Sequence, residues 1–518
     1  MQRSSERVRA ILFHSMAVAT TVIVPFSFST ATLDPGIYPR FLVWTASLTV
    51  LAGMLVWASW KYPDIRSTFI WKNSLLGFGL LYLLASACGF MVALNQADWL
   101  YATLRTAMLF AHIFIFTQIL ILNLERWQKL IWYVSITGFV IALIGVLQWS
   151  GGMFLIGSFD PPYGTMMHEN IFATFLFLST PLAIYGAIIY KGFSRWFFIL
   201  TLGQIVFAIV VSTTRSVWVA ITVGAALTGL IHVITDHKLR LETIGRTGIQ
   251  KRWAALLLSI ILIGSAGSFL YFVSDKFDAI EERSILWKVT ARLSLDHPIL
   301  GVGAGNWVQH TNIENLQNKI SHANWIRPHN DPLWVISETG VIGLIGYLGM
   351  FLAAFWMLWR VLRKTERFEV RLLALALTYG LLGFLIISNS SFPRERIELT
   401  SYFAMFLALS IFVHSLEFKR DTKTSQSQIL PLTSVVLVLL GAFAGYVGYY
   451  RYDGEKHVTR AHAALSADLW QQALPEIEKA RNPFYTAHPN GLSLDYMRGI
   501  SLYELERYEE AKVSFLSS

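Results

Sequence analysis

Apolar runs of about 20 residues recur along most of this chain, and each is long enough to cross the hydrocarbon core of a bilayer. A backbone passing through lipid meets no water for its N–H and C=O groups. Each run is therefore expected to be an α-helix, which satisfies those groups internally. The pattern places spans near residues 11–31, 41–60, 74–94, 99–122, 129–149, 169–190, 196–213, 216–235, 253–273, 333–358, 371–389, 398–417 and 430–450. The predicted fold class is all-α: a polytopic membrane bundle of about 12–13 helices over residues 1–450, with a long loop at 274–331 and a helical tail at 451–518. Composition agrees, because 54% of the residues are hydrophobic and only 14% charged, too few charges to keep a soluble protein of this length dispersed. The first run has no convincing small-residue cleavage site and reads as the first span rather than a removed signal peptide.

The net charge of +9 is no sign of nucleic-acid binding, because Lys and Arg concentrate in short loops between spans. Arg3, Arg7 and Arg9 precede the first span. Alternate loops then carry Lys61, Arg66 and Lys72; Arg126 and Lys129; Lys191 and Arg195; Lys238, Arg240, Arg246, Lys251 and Arg252; Arg360, Arg363, Lys364, Arg367 and Arg371; and Lys419, Arg420 and Lys423. All fall on one side of the bilayer if the span count holds, and that side is expected to be cytoplasmic. The outward side then receives 150–168, 274–331, 390–397 and everything after residue 451. The single Cys88 lies in an apolar run and has no partner for an internal disulfide.

After the last span the composition turns to that of a soluble helical domain. Gly499, Leu502, Tyr508, Ala511 and Phe515 fit the small and large packing positions of a tetratricopeptide helix pair. Ala461, Trp470, Ala473, Ile477, Ala480 and then Pro483 fit a degenerate first copy. The second copy is incomplete, and stacked repeats need neighbours to bury their faces. Either the chain is truncated or a partner outside the membrane completes the domain.

The outward segment 274–331 is much longer than a connection between two helices requires. It holds Arg283, then His297-Pro-Ile-Leu-Gly-Val-Gly-Ala-Gly-Asn306-Trp307, and ends in Arg327-Pro-His329-Asn330-Asp-Pro at the mouth of a span. Glu338 follows about two turns into that span; a carboxylate within the membrane is costly and suggests function, either orienting His329 or pairing with an arginine. Arg215 sits at an outward junction of two spans with almost no loop, and its planar fork suits a phosphate. Arg105, Arg394 and Arg396 are placed to join it. Trp307 and Trp325 are the better candidates for stacking on a sugar face. The glycines 301, 303 and 305 lack the strand–helix context of a nucleotide loop and read as a tight turn allowing close backbone packing. His168-Glu169 is no zinc-protease motif, since Phe172 stands where the second histidine is needed. The first outward loop offers only Asp34, so no metal site is expected.

Three segments resemble the O-antigen ligase and polymerase superfamily: Ser212 to Trp218, Arg283 to Asn306, and His329-Asn330 through Gly343. The most specific part is His329, Asn330, Glu338, Gly340 and Gly343, preceded by Pro298, Gly301 and Gly303. The resemblance implies about twelve spans and a large periplasmic loop bearing an essential histidine and arginines, with His329, Arg215 and Arg283 at the corresponding positions. It also implies a bacterial inner-membrane protein, an undecaprenyl-pyrophosphate-linked glycan as donor, and no cofactor. The acceptor hydroxyl attacks the anomeric carbon and expels pyrophosphate, whose growing charge the arginines stabilise. His329 takes the acceptor proton, the preferred role, or binds the phosphates as a cation. Arg105, Arg327, Asn330, Glu338, Trp307, Arg394 and Arg396 are expected to contact substrate. A lipid A core sugar, as in a ligase, is the first-ranked acceptor. A growing polymer, or Ser or Thr of a secreted protein, shares the same chemistry. A lipid or solute transporter is the contrasting class, disfavoured because the polar residues cluster at one face.

Overall fold

The computed structural model describes residues 2–66, 73–152, 158–235, 277–318, 325–418 and 429–518. The described apolar runs are all helical, and twelve of these helices are long and apolar enough to cross a membrane. They are α1 (Arg3–Phe26), α2 (Ile37–Lys61), α3 (Ser74–Met91), α4 (Gln96–Ile121), α5 (Gln128–Trp149), α6 (Glu169–Ile189), α7 (Gly192–Val211) and α8 (Arg215–Thr235). Two shorter helices follow, α9 (Phe277–Asp296) and α10 (Trp307–Asn318). Then come α11 (Asp331–Lys364), α12 (Phe368–Ser388), α13 (Ile397–Glu417) and α14 (Ile429–Leu465). The span expected at 253–273 lies outside the described residues, as do the charged segments expected at 238–252 and 419–423.

Helices α4, α6 and α13 form the centre, each with 83% of its apolar window buried, whereas α7 and α8 lie at the edge with 28% and 22%. Lipid offers no hydrophobic drive between helices, so the contacts depend on close packing at small residues. Gly346 of α11 faces α3 so tightly that a Cβ would come within 2.5 Å of the Tyr82 amide nitrogen, and Gly448 of α14 lies against the Phe41 ring of α2 in the same way. Large side chains left exposed, such as Trp196, Leu352, Trp356 and Leu432, line the outside of the bundle.

The bundle has two chemically distinct ends. At one, Arg9 pairs with Asp64, Arg126 with Glu6 at 3.4 Å, and Gln128 donates to Glu369 at 3.0 Å. Arg371 donates there to Thr235 at 3.0 Å, and Tyr190 to the Gln128 carbonyl at 3.4 Å. The tail and the loops expected to share a face by their Lys and Arg content thus meet, as far as they are described. At the other end, Arg396 reaches Asp34 at 2.6 Å, Asn306 bonds to Asn95, and Thr214 donates to the Glu169 carbonyl at 3.3 Å. Arg283, in α9, donates there to the Ser390 carbonyl at 3.5 Å, just past the end of α12.

Beyond its apolar half, α14 continues as a water-soluble helix against which α15 (Trp470–Ala480) folds back; α16 (Leu494–Glu504) and α17 (Tyr508–Leu516) form a second pair. Ala461, Ala473, Ile477 and Ala480 are wholly buried, and a Cβ on Gly499 would meet the Phe515 ring at 2.6 Å. Of the large residues in the expected second pair, Tyr508 and Phe515 are exposed.

Candidate active site

The site is built around a break in α11. Gly340 has φ 63° and ψ −170°, which interrupts the helix and frees the carbonyls of the preceding turn. Segment 298–303 docks onto those freed groups. Val302 N–H donates to the Ser337 carbonyl at 2.9 Å, Gly303 N–H to the Glu338 carbonyl at 3.0 Å, and Val341 N–H to the Pro298 carbonyl at 2.9 Å. A Cβ on Gly340 would overlap the Ile299 carbonyl, and one on Gly301 the Glu338 backbone. Backbone thus lies directly on backbone, with the Ser337 and Glu338 carbonyls and the Val341 N–H satisfied by protein. This is the physical content of the Pro-x-x-Gly-x-Gly and Glu-x-Gly pattern, and it fixes where His329 and Glu338 stand.

His329 itself lies in the left-handed region, φ 53°. The backbone on either side holds it there. Trp287 of α9 donates its indole N–H to the Pro328 carbonyl at 2.8 Å. Asn330 caps α11 by accepting from Leu333 N–H at 2.9 Å, and donates to the Asn389 carbonyl at 3.2 Å. Two other non-glycine residues with positive φ flank the same region: Met167 (61°), next to His168, and Thr213 (54°), two before Arg215. Such backbone costs about 1–2 kcal/mol per residue and gathers where a site requires it.

Arg215, Arg283 and His329 come together at this end of the bundle. Burial and then the nearby Arg215 charge both lower the pKa of the Arg283 guanidinium. Among the described residues no carboxylate lies within ion-pair distance of Arg283. Burial first, then Arg283 and Arg327, depress the His329 imidazole to about 4, against the small opposing pull of Glu395. The ring is therefore neutral at physiological pH and available to accept a proton. Phe392 packs edge-on against it with centroids 5.1 Å apart, and against His168 at 6.3 Å. His168 caps α6 by accepting from Asn170 N–H at 3.1 Å; burial lowers its pKa as well, against the pull of Glu169.

The other expected residues fall beside this cluster in different roles. Arg327 stacks over Phe392, its guanidinium 4.8 Å from the ring, and pairs with Glu395 and, at 3.6 Å, with Asp34. Glu338 pairs with an arginine, the second of its two expected alternatives. Arg394 approaches it at 3.4 Å, also donates to Tyr82 OH at 2.9 Å, and lies over the Trp334 ring. The Trp334 indole donates to the same carboxylate at 2.7 Å. Arg396 is 3% exposed and engaged by Asp34 and Glu398, which places it in a buried ion network with Arg40. Burial opposes ionisation of Asp34, but Arg396 and Arg327 outweigh it and hold the carboxyl at about 2.

The expected sugar platforms need correction. Trp307 is wholly buried, donates to Thr290 at 3.2 Å and packs on Trp334; Trp325 is only 4% exposed. The Trp307 ring anchors the loop to α9 and α11, and the Trp325 backbone N–H donates to Asn312 of α10 at 3.2 Å.

A cleft of about 130 Å³ opens beside Arg327. Its walls include Asp34, Tyr101, Arg105, Trp334, Arg394 and Arg451, together with residues 487–491 of the tail. The sequence reading singled out neither Arg451 nor the tail loop. Arg451 bonds to Asp98 at 2.6 Å, to Tyr38 OH, and to the Ala97 and Phe484 carbonyls, inside a cage of Tyr38, Tyr101 and Tyr485. One signal was present: Arg40, Glu398 and Arg451 are ionisable residues within helices that span lipid, where charge is otherwise avoided.

Residues 196–348 match the family model for O-antigen ligase, a stretch that contains Arg215, Arg283, His329 and the broken start of α11. No curated protein matches the chain. With twelve candidate spans among the described residues, this is a multi-pass membrane protein, and its residues 196–348 are similar to the O-antigen ligase family.

Proposed function

We propose that this protein transfers a glycan from an undecaprenyl-pyrophosphate donor to an acceptor hydroxyl at the periplasmic face of the bacterial inner membrane, in the manner of a ligase acting on a lipid A core sugar. In this reading the end of the bundle rich in Lys and Arg faces the cytoplasm, and residues 451–518 form a periplasmic tetratricopeptide-like unit that can seat a partner.

The observation that carries the proposal is the grouping of Arg215, Arg283 and the neutral imidazole of His329, the last of them on backbone of positive φ. Two guanidinium groups that raise each other's energy are stabilised by an anion with more than one charge, as pyrophosphate is. The acceptor oxygen attacks the anomeric carbon as the bond from that carbon to the pyrophosphate oxygen breaks. His329 takes the acceptor proton, and undecaprenyl pyrophosphate leaves against Arg215 and Arg283. Fixed cations at the leaving group stabilise the transition state more than the ground state, because the negative charge grows as the bond opens. The scheme derives the charge stabilisation from arginine and calls on no metal. Asn330 and Arg327 flank His329, and Glu338 pairs with Arg394 deeper in the bundle.

The test incubates the purified full chain with an undecaprenyl-pyrophosphate glycan and, separately, lipid A core, a lipid-linked repeat unit and a Ser/Thr-containing secreted protein. Mass gain by lipid A core supports the reading. Gain by another acceptor keeps the chemistry and reassigns the substrate, whereas no gain by any of them rejects it.

A further inference from the structure

We propose that the cleft between the helix bundle and tail residues 487–491 is a saccharide subsite, in which Arg105 takes the single anionic group of an acidic sugar in the acceptor. This rests on the glycan-transfer reading and adds to it a binding pocket separate from the Arg215–Arg283–His329 cluster.

The arginines of the cleft other than Arg105 are matched internally. Arg394 faces Glu338, Arg451 faces Asp98, and Arg327 faces Glu395 and Asp34. Arg105 is different: it lies over the Tyr101 ring at 5.7 Å, and among the described residues no carboxylate stands within ion-pair distance of it. A lone guanidinium in a cleft whose other cations are neutralised selects for one negative charge. Around it the lining residues hold polar atoms that lack partners. Tyr101 is 6% exposed with an unsatisfied hydroxyl, and Glu455 is 1% exposed with an unsatisfied Oε2. Gln309 donates its amide to Asp98 at 2.7 Å, which leaves its Oε1 unsatisfied. Buried groups without partners are rare, and here they include two acceptors and a hydroxyl, the complement of a sugar's hydroxyl groups. Trp334 adds an aromatic wall.

The outer wall is the tail, which is firmly fixed. Asn312 of α10 donates to the Asn490 carbonyl at 2.8 Å, Thr486 bonds to Asn95 at 3.1 Å, and Arg451 holds the Phe484 carbonyl at 2.9 Å. His488 closes its own turn, accepting from Asn490 N–H at 3.2 Å and from Gly491 N–H through its carbonyl at 2.8 Å. A wall built this rigidly acts on substrate by shape, so the tail contributes to which sugar fits.

The experiment measures direct binding of methyl glucuronoside, glucose 6-phosphate, methyl glucoside and inorganic pyrophosphate to the full chain in nanodiscs. The comparison is wild type, Arg105→Gln, the double variant His488→Ala/Pro489→Ala, and His329→Gly. An acidic sugar is expected to bind about fivefold or more tighter than the neutral glucoside. Arg105→Gln abolishes that preference, the tail variant weakens every sugar, and His329→Gly changes neither. Which acidic sugar wins distinguishes a carboxylate from a phosphate. Equal binding of neutral and acidic sugars, an unaffected tail variant, or pyrophosphate binding that depends on Arg105 would each overturn the proposal. Transfer activity is assayed in parallel: sugar binding with no transfer rejects the glycan-transfer reading alone, and transfer with no sugar binding rejects the subsite alone.

Discussion

Replacing His329 with glycine separates chemistry from folding more cleanly than the customary alanine. His329 sits at φ 53°, where an L-residue costs about 1–2 kcal/mol and glycine costs nothing. Glycine gives back about 0.5–1 kcal/mol through the greater freedom of the unfolded chain. The edge-on contact with Phe392, 5.1 Å between centroids, contributes about another 0.5–1 kcal/mol that is lost. These changes nearly cancel, so His329→Gly is expected to unfold within about 1 kcal/mol of wild type, while His329→Ala keeps the strain and is the less stable of the two. Transfer should fall by about 10²–10⁴-fold in both, the range associated with a lost general base. Thermal unfolding in detergent together with glycan transfer from the lipid-linked donor reads both quantities. Transfer by His329→Gly within tenfold of wild type would refute the base assignment, and a glycine variant markedly less stable than the alanine one would refute the strain argument.

Other expectations are equally specific. The depressed pKa of His329, about 4, makes its neutral form dominant well below pH 6.5, so kcat/KM should stay level down to about pH 5 and fall with a midpoint near 4; a midpoint near 6.5 would contradict the burial of the ring. The same depression means that the unfolded chain binds a proton that the folded one refuses between pH 6.5 and 4. Stability contributed by this group is complete above 6.5 and declines by at most about 3 kcal/mol as pH drops to 4, which melts at stepped pH would detect as a difference from His329→Gly. Gly340→Ala forces both a disfavoured φ and an overlap with the Ile299 carbonyl, so a loss of at least about 2 kcal/mol is expected, whereas Gly203→Ala in α7, with open space around it, should be neutral or stabilising. Arg451→Met leaves the partly buried Asp98 without its cation and releases the Phe484 carbonyl; about 2–3 kcal/mol should be lost, and limited proteolysis should cut within 481–493 far faster than in wild type.

The spans were legible because a 20-residue apolar run has one physical solution in lipid, although the first helix, Arg3–Phe26, starts well before the expected 11 and the last, Ile429–Leu465, runs well past the expected 450. The glycines at 301, 303 and 305 were legible as a tight turn allowing close backbone packing, although the partner, the break in α11 at Gly340, is a tertiary fact. Arg215 and His329 were singled out at span mouths, and Arg283 in the long outward segment through the family resemblance; the three lie at one end of the bundle. Periodicity says nothing about which helix end meets which, and this hid the long-range pairs. Asp34 finds Arg396, 362 positions away, and Asp98 finds Arg451, 353 positions away. Trp307 misled for a related reason: an indole in a loop suggests an exposed platform, but Thr290 of α9 accepts its N–H and Trp334 packs on its ring, which makes burial the lower-energy choice. The docking of 484–491 was invisible, since the tail's own pattern describes only how its helices pack on each other.

The most direct test of the account is single-turnover release of undecaprenyl pyrophosphate from a lipid-linked glycan, followed in the presence of EDTA with wild type, Arg215→Gln and Arg283→Gln. Arginine-based stabilisation of the leaving group predicts that wild type releases it at an undiminished rate under chelation, and that each glutamine variant is slower by about 10²-fold or more while still inserted and folded. Release that stops with EDTA, or glutamine variants as fast as wild type, would contradict the assignment of these guanidinium groups to the pyrophosphate.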